Sequence, residues 1–248
     1  MIDFYNTNKK IVIIAHIFYE NGWDLIAPQV KNLEHFQPAL FVNICSNNLN
    51  KTKIINEINK TFQNAIVIIS PNIGKDIGGK LAALDLSIRL NIKTDYYILL
   101  HDKNSPHTTL ADMWREKLFK IVQKDNIPLI LSLFLNNDKL GIVSAKEFIS
   151  NEYDSKAKKF ESTSNEIIKN LISKYQLNIS NYDFVGGTMF WVKAEIYNNF
   201  FNKYNPLEIR ATLEKGNVFD NIHGTTTHAW ERILSYIAID QDYYLNGI

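Results

Sequence analysis

Four nearly continuous apolar runs mark the first hundred residues: KIVIIAHIF (Lys10 to Phe18), ALFVNIC (Ala39 to Cys45), AIVIIS (Ala65 to Ser70) and YYILL (Tyr96 to Leu100). Short runs of this kind, unbroken by polar alternation, predict strands covered on both faces. The segments between them have helical spacing. WDLIAPQVKNL sets Trp23, Ile26, Val30 and Leu33 near one face, and IINEINKTF does the same with Ile54, Ile55, Ile58 and Phe62. Strand and helix repeated three times predict right-handed crossovers, a mostly parallel sheet and helices on both of its faces. Ligands of such sheets bind beyond the carboxyl ends of the strands, which directs attention to the residues after Ser70 and after Leu100.

Beyond Leu100 the alternation loosens. LADMWREKLFKIVQ and IPLILSLFLNN predict helices, LGIVSA (Leu140 to Ala145) another strand, and Lys146 to Phe160 a polar connection. SNEIIKNLISKYQL predicts an amphipathic helix with Ser164 as its N-cap. YDFVGGTMFWVKAEIY interrupts a strand pattern with two glycines, the mark of a bulge or a close backbone approach. No internal repeat, low-complexity tract or linker appears. The expectation is one domain over residues 1–248, made of a first half, 1–145, and a second half, 146–248, that carries the C-terminal helices.

Composition narrows the function classes. A chain of 248 residues, 46% hydrophobic and 21% charged, can bury a sizeable core, and its net charge of +1 has no block of one sign, which argues against a nucleic-acid surface. No apolar run approaches the roughly 20 residues of a membrane span, and MIDFYNTNKK lacks a signal-peptide core. A cytoplasmic protein is expected. The single cysteine, Cys45, excludes an internal disulfide and a thiolate metal cluster and reads as a small buried hydrophobe.

Four segments carry candidate chemistry. SPNIGKDIGG (Ser70 to Gly79) joins a strand to the helix KLAALDLSIRL. Its glycines allow close backbone approach and the helix start offers amides to an anion, with Lys75 suited to a phosphate and Asp76 to a base or ribose. It matches neither the dinucleotide fingerprint nor the P-loop, and an ordinary glycine turn explains it as well. YYILLHDKNSPH delivers His101, Asp102, Lys103, Asn104 and His107 to the sheet edge. Asp102 and Asn104 can give two oxygens to magnesium or manganese, Lys103 can instead face a diphosphate, and a polar strand-ending turn is the plain alternative. DFVGGTMFWVKAE offers Gly186, Gly187 and the aromatic wall of Trp191, which core packing also explains. HGTTTHAWERILSYIA places His228 and Glu231 three residues apart on one helix face, where they can share general-base and ligand duties, with Arg232 beside them. A capped surface helix accounts for the same pattern.

Taken in order, HIFY, NIGKDIGG, YYILLHDKNSPH, WR, LGIVSA, GGTMFWVKAE and HAWERIL resemble the rhamnan synthesis protein F family of bacterial surface-polysaccharide glycosyltransferases, over nearly the whole chain. The resemblance implies a Rossmann-like α/β fold of the GT-A glycosyltransferase type. It implies a nucleotide-diphosphate sugar as donor, possible use of a divalent cation, and a glycan or lipid-linked glycan acceptor of capsule or O-antigen, with L-rhamnose from a dTDP donor as the transferred sugar. It also admits peripheral attachment to the inner membrane or to a polysaccharide assembly complex. In this frame Asn72, Gly74, Lys75, Asp76 and Gly78 hold the nucleotide with His101, His107 and Arg232. Asp102 stands in the place of the family's Asp-x-Asp metal motif, with Asn104 and His228 as further ligands. Gly186, Gly187 and Trp191 admit the sugars, and Glu231 is the general base of an inverting transfer, aided by Lys103. The chain departs from the family pattern at Lys75, at Gly79 and Lys80, and in offering one carboxylate where two are usual.

Overall fold

Seven strands line up in the order β11-β5-β10-β4-β1-β2-β3. In this computed structural model, which describes residues 9–102, 111–220 and 222–248, they comprise β1 (Ile11–Ile17), β2 (Ala39–Cys45), β3 (Ile66–Ser70), β4 (Tyr96–His101), β5 (Leu140–Ser144), β10 (Phe190–Lys193) and β11 (Tyr244–Gly247). All run parallel except β10, which lies antiparallel between β4 and β5. The mostly parallel α/β sheet read from the apolar runs is the one that forms. Short pairs complete the strands: β6 (Ile149–Asn151) with β9 (Asp183–Val185), and β7 (Tyr153–Asp154) with β8 (Lys159–Phe160).

Each face of the sheet carries its own core. Alternate residues of β1 and β4, including Val12, Ile14, Tyr97 and Leu99, pack with α3 (Lys75–Arg89), α6 (Asn165–Lys174), α7 (Ala194–Lys203) and α9 (Thr226–Asp240). The intervening residues, Ile11, Ile13, Ile98 and Leu100, pack with α1 (Gly22–Lys31), α2 (Lys51–Thr61) and α5 (Asn126–Leu135). Two-sided burial explains why β1 and β4 lack polar alternation: every side chain of either strand is buried. Cys45 is buried in the sheet, as its apolar surroundings predict.

Several expectations fail for identifiable reasons. β3 is an edge strand, and Ile69 is 50% exposed, so AIVIIS is not covered on both faces. The C-terminal helices are followed by β11, a strand with no counterpart in the apolar pattern, which joins β5. Residues 146–160, expected to be a polar connection, contain β6, β7 and β8. Ser164 does not cap α6 with its side chain. Its hydroxyl donates to the Thr225 carbonyl and accepts the Thr225 N–H, pinning the start of α9.

Register sets the foundation of the site. His16 lies opposite His101 on one side and opposite Asn43 on the other, so three polar side chains form a row near the carboxyl ends of adjacent strands. They face α3, whose Gly79 leaves the space they occupy: a Cβ there would lie 2.0 Å from His16 Nδ1 and 2.7 Å from Asn43 Oδ1. In an exposed helix, glycine to alanine stabilises by roughly 0.5–1 kcal/mol. Gly79→Ala should reverse that sign and destabilise by roughly 1–3 kcal/mol, because α3 must lift from the sheet. Urea unfolding measures the change, and a gain in stability would refute the packing argument.

Candidate functional site

The glycine loop after β3 is shaped by the protein more than by an open ligand site. Gly74 adopts φ 71° and gives its N–H to the Glu214 carbonyl at 2.7 Å, and a Cβ there would strike the Leu213 side chain at 2.2 Å. The Gly78 N–H closes the first turn of α3 onto the Gly74 carbonyl, and its Cβ would lie 1.7 Å from the Ile73 carbonyl oxygen. Asn72 binds Asn217 through its side chain and Gly216 through its carbonyl. Gly74 and Asn72 thus dock the loop on residues 213–217, while Gly78 packs against the loop's own Ile73. The amides expected to cradle an anion at Gly74 and Gly78 are already used. Lys75, also left-handed at φ 52°, starts α3 and is partly exposed.

Below this loop lies a buried polar cluster. Lys80 projects from α3, one turn after Asp76, and is 3% exposed. Its Nζ reaches Asp76 Oδ2 and His101 Nδ1 at 2.9 Å, the Thr188 carbonyl at 2.8 Å and Thr188 Oγ1 at 2.7 Å. Thr188 Oγ1 in turn donates to Asp76 Oδ2 at 2.5 Å. Burial alone would raise Asp76, but Lys80, His101 and the Thr188 hydroxyl outweigh it and hold the carboxyl well below its usual range. One strand over, His16 Nδ1 meets Asn43 Oδ1 at 2.9 Å while its Nε2 is buried without a partner. Burial lowers its pKa to about 4 and keeps the ring neutral.

Asp102 does not face this cluster as an open carboxylate. It is 3% exposed and accepts the Phe18 N–H at 2.9 Å and the Tyr19 N–H at 2.6 Å, so it closes the β1–α1 connection. Gly22 makes room for it, since a Cβ there would lie 2.0 Å from Asp102 Oδ2. Burial pushes its pKa up to about 7, against the opposing pull of those two amides.

Glu231 of α9 is aimed at the glycine pair. Its Oε1 accepts the Gly187 N–H at 2.6 Å and its Oε2 accepts from Arg232 at 2.6 Å, while the side chain keeps 19% exposure. Arg232 is held by Glu152 at 2.6 Å and by the His228 carbonyl at 3.0 Å, and its guanidinium lies 4.4 Å from the centre of the Phe184 ring. Gly187 takes φ 75° and Thr188 φ 52°, a left-handed pair that turns the chain between β9 and β10. Because Thr188 follows Gly187, a single turn joins Glu231 to the Lys80 cluster. The start of α9 is anchored by Glu214, which accepts the amides of Thr226 and Thr227 and the Thr227 hydroxyl. Burial would raise this carboxyl, but those bonds lower it to about 2.

The structure therefore brings together Asp76, His101, Gly187, Glu231 and Arg232, with Gly186 beside them on the Phe148 carbonyl. It separates others. Trp191 is fully buried in β10 and donates its indole N–H to the Ile121 carbonyl, so it cannot stack on a sugar. His228 Nδ1 is occupied by Thr225 Oγ1 at 2.6 Å and Asp220 Oδ1 at 2.7 Å, at the start of α9. Lys103, Asn104 and His107 lie outside the described residues. Of the expected metal set, Asp102 receives two backbone amides, His228 commits Nδ1 at the start of its own helix, and Asn104 is outside the described residues. Among the described residues no group of three or more His, Cys, Asp or Glu side chains is placed to hold a metal.

Lys80, Thr188, His16 and Asn43 escape a reading by motif. The i, i+4 spacing of Asp76 and Lys80 was the one local signal. A lysine among apolar helix positions otherwise reads as surface.

Comparison with known proteins bears on this geometry. The family model of rhamnan synthesis protein F matches residues 2–243. No curated protein matches the chain. Among solved structures, the chain is similar to a mannosyltransferase from Pyrobaculum calidifontis in complex with GDP-Man and Mn2+, at 10% identity and a TM-score of 0.42, over 98% of this chain and 56% of that one. The chain thus spans little more than half the length of that neighbour.

Two outcomes follow from the buried charges. Lys80→Met leaves Asp76 buried without its main counter-charge and should destabilise by roughly 3–5 kcal/mol; a loss below 1 kcal/mol in chemical denaturation would contradict the cluster. Asp102 has a folded pKa raised from an ordinary carboxyl value near 4, so its contribution is fully present below pH 4 and is lost as pH rises through 7. The stability of wild type relative to Asp102→Asn should therefore fall by ~1 kcal/mol per pH unit across that window. A difference independent of pH would show that Asp102 titrates normally.

Proposed function

The chain belongs to the rhamnan synthesis protein F family, and from that premise we propose that it is an inverting glycosyltransferase of the GT-A type that moves a sugar from a nucleotide-diphosphate donor to a growing bacterial surface glycan. Family membership supports the glycosyltransferase role. The observation that carries the catalytic reading is Glu231, a partly exposed carboxylate held in one orientation by Arg232 and by the N–H of Gly187, the residue before the Thr188 that meets Lys80. In the proposed reaction the acceptor hydroxyl oxygen attacks the anomeric carbon of the donor. Glu231 takes the hydroxyl proton, and the bond from that carbon to the diphosphate breaks with its electron pair leaving on the nucleoside diphosphate.

The described residues assemble no donor set for a cation, and the positive charge that meets the departing diphosphate is assigned to Lys75 at the start of α3 and to Lys103. Asp76 and His101, locked by Lys80, give the donor a floor that does not rearrange during transfer. A dTDP-L-rhamnose donor, and a capsule or O-antigen acceptor, fit the family's part in rhamnan synthesis. No described helix is long and apolar enough to cross a membrane, so contact with a lipid-linked acceptor is proposed to be peripheral.

Glu231→Gln keeps an acceptor oxygen for one of the two contacts, turns the other position into a donor and removes the base. It should lower the transfer rate by roughly 10²–10⁴-fold and leave the nucleotide-induced rise in melting temperature intact. A wild-type rate in that variant would remove Glu231 as the base. Transfer by neither protein, with nucleotide stabilisation in both, would turn the reading to a non-catalytic sugar or nucleotide-binding module.

A further inference from the structure

Of the four tryptophans, Trp23, Trp191 and Trp230 are buried, whereas Trp114 is 54% exposed. It sits on α4 (Ala111–Leu118) next to Met113, which is 53% exposed. A lone exposed leucine needs no explanation, but an exposed indole beside a second large apolar side chain is uncommon unless something covers it. Its position supplies the reason. The indole packs edge-to-face on Phe148, with centroids 5.7 Å apart and planes at 84°. The Phe148 carbonyl accepts the Gly186 N–H at 2.8 Å, and a Cβ on Gly187 would lie 3.9 Å from the Phe148 ring. The Gly187 N–H is the group that orients Glu231. Three contacts, from Trp114 to Phe148, from Phe148 to Gly186 and, one residue on, from Gly187 to Glu231, therefore lead from an exposed indole to the carboxylate.

We propose that Trp114, braced by Phe148, is a saccharide platform that receives a sugar ring of the acceptor next to Glu231, an inference that rests on the glycosyltransferase reading of that site. Aromatic rings line small-molecule sites and a tryptophan gives a broad, rigid apolar face at little entropic cost. The C–H face of a pyranose is apolar while its hydroxyls point outward, which matches the apolar face of an exposed indole. Phe148 holds the indole nearly perpendicular to its own ring while 54% of Trp114 stays exposed. The same helix packs on the glycine turn, since a Cβ on Gly187 would lie 3.0 Å from Leu118 Cδ2. This is the role that the sequence pattern offered to Trp191, placed instead on α4.

Because Trp114 is the one exposed indole, acrylamide quenching of tryptophan fluorescence reads it selectively and needs no turnover. Rhamnose mono-, di- and trisaccharides should protect it from quenching and shift its indole N–H resonance, whereas dTDP alone should do neither. Trp114→Ala should abolish the protection and raise the acceptor KM roughly tenfold with the donor KM unchanged, and Trp114→Phe should recover part of both. Saccharide protection without any transfer would keep the platform and overturn the enzyme reading. Transfer with an unchanged acceptor KM in Trp114→Ala, or protection by dTDP in place of saccharide, would overturn the platform.

Discussion

The ammonium of Lys80 is the contact on which the arrangement depends. It is buried at the junction of three separate pieces of chain: the first turns of α3, the end of β4 and the turn between β9 and β10. A charge in that position is tolerable only if its donors are fully used, and Asp76, His101 and Thr188 use them. The same bonds that satisfy the charge therefore fix the spacing of the pieces. If Thr188 shifted, Lys80 would lose two acceptors, and Gly187, whose N–H aims Glu231, would shift with it.

Around that point the molecule separates rigid support from exposed chemistry. His16, Asn43, Asp102 and Glu214 are polar, yet each is spent inside the protein. His16 and Asn43 bond across neighbouring strands, Asp102 gathers the amides after β1, and Glu214 holds the first amides of α9. The groups that keep access to solvent are Glu231 in part and Trp114 in large part. The proposed transfer would draw on this division, with Glu231 as base and Trp114 as stacking face at the surface of a frame that does not yield.

The apolar pattern and the family-like strings single out the same segments for different reasons. The apolar runs pointed to the carboxyl ends of β3 and β4 because parallel strands place their loops there. The motif strings pointed to the same loops as the places where unusual residues cluster. Within those loops the reading by residue type was less accurate. Asp102 was expected as a ligand because a carboxylate ending a strand is chemically suited to one, yet the amides of Phe18 and Tyr19 compete for it and win. Gly74 and Gly78 were expected to admit a ligand, but they admit Leu213 and the Ile73 carbonyl.

The sequence by itself determined what depends on near neighbours and on periodicity. The strands β1 to β5, most of the helices, the parallel order implied by their alternation, and the glycine turn after Val185 follow from burial patterns and from residues whose backbone preferences are local. Only the tertiary structure decided which polar groups would meet. Lys80 and Thr188 are 108 residues apart and Gly187 and Glu231 are 44 apart, and no local pattern encodes a hydrogen bond between partners that distant. Trp191 and Trp114 show the same limit in apolar form. Both are aromatic residues in amphipathic surroundings, and the strand pairing of β10 between β4 and β5 buries one while the edge-to-face contact with Phe148 leaves the other in water.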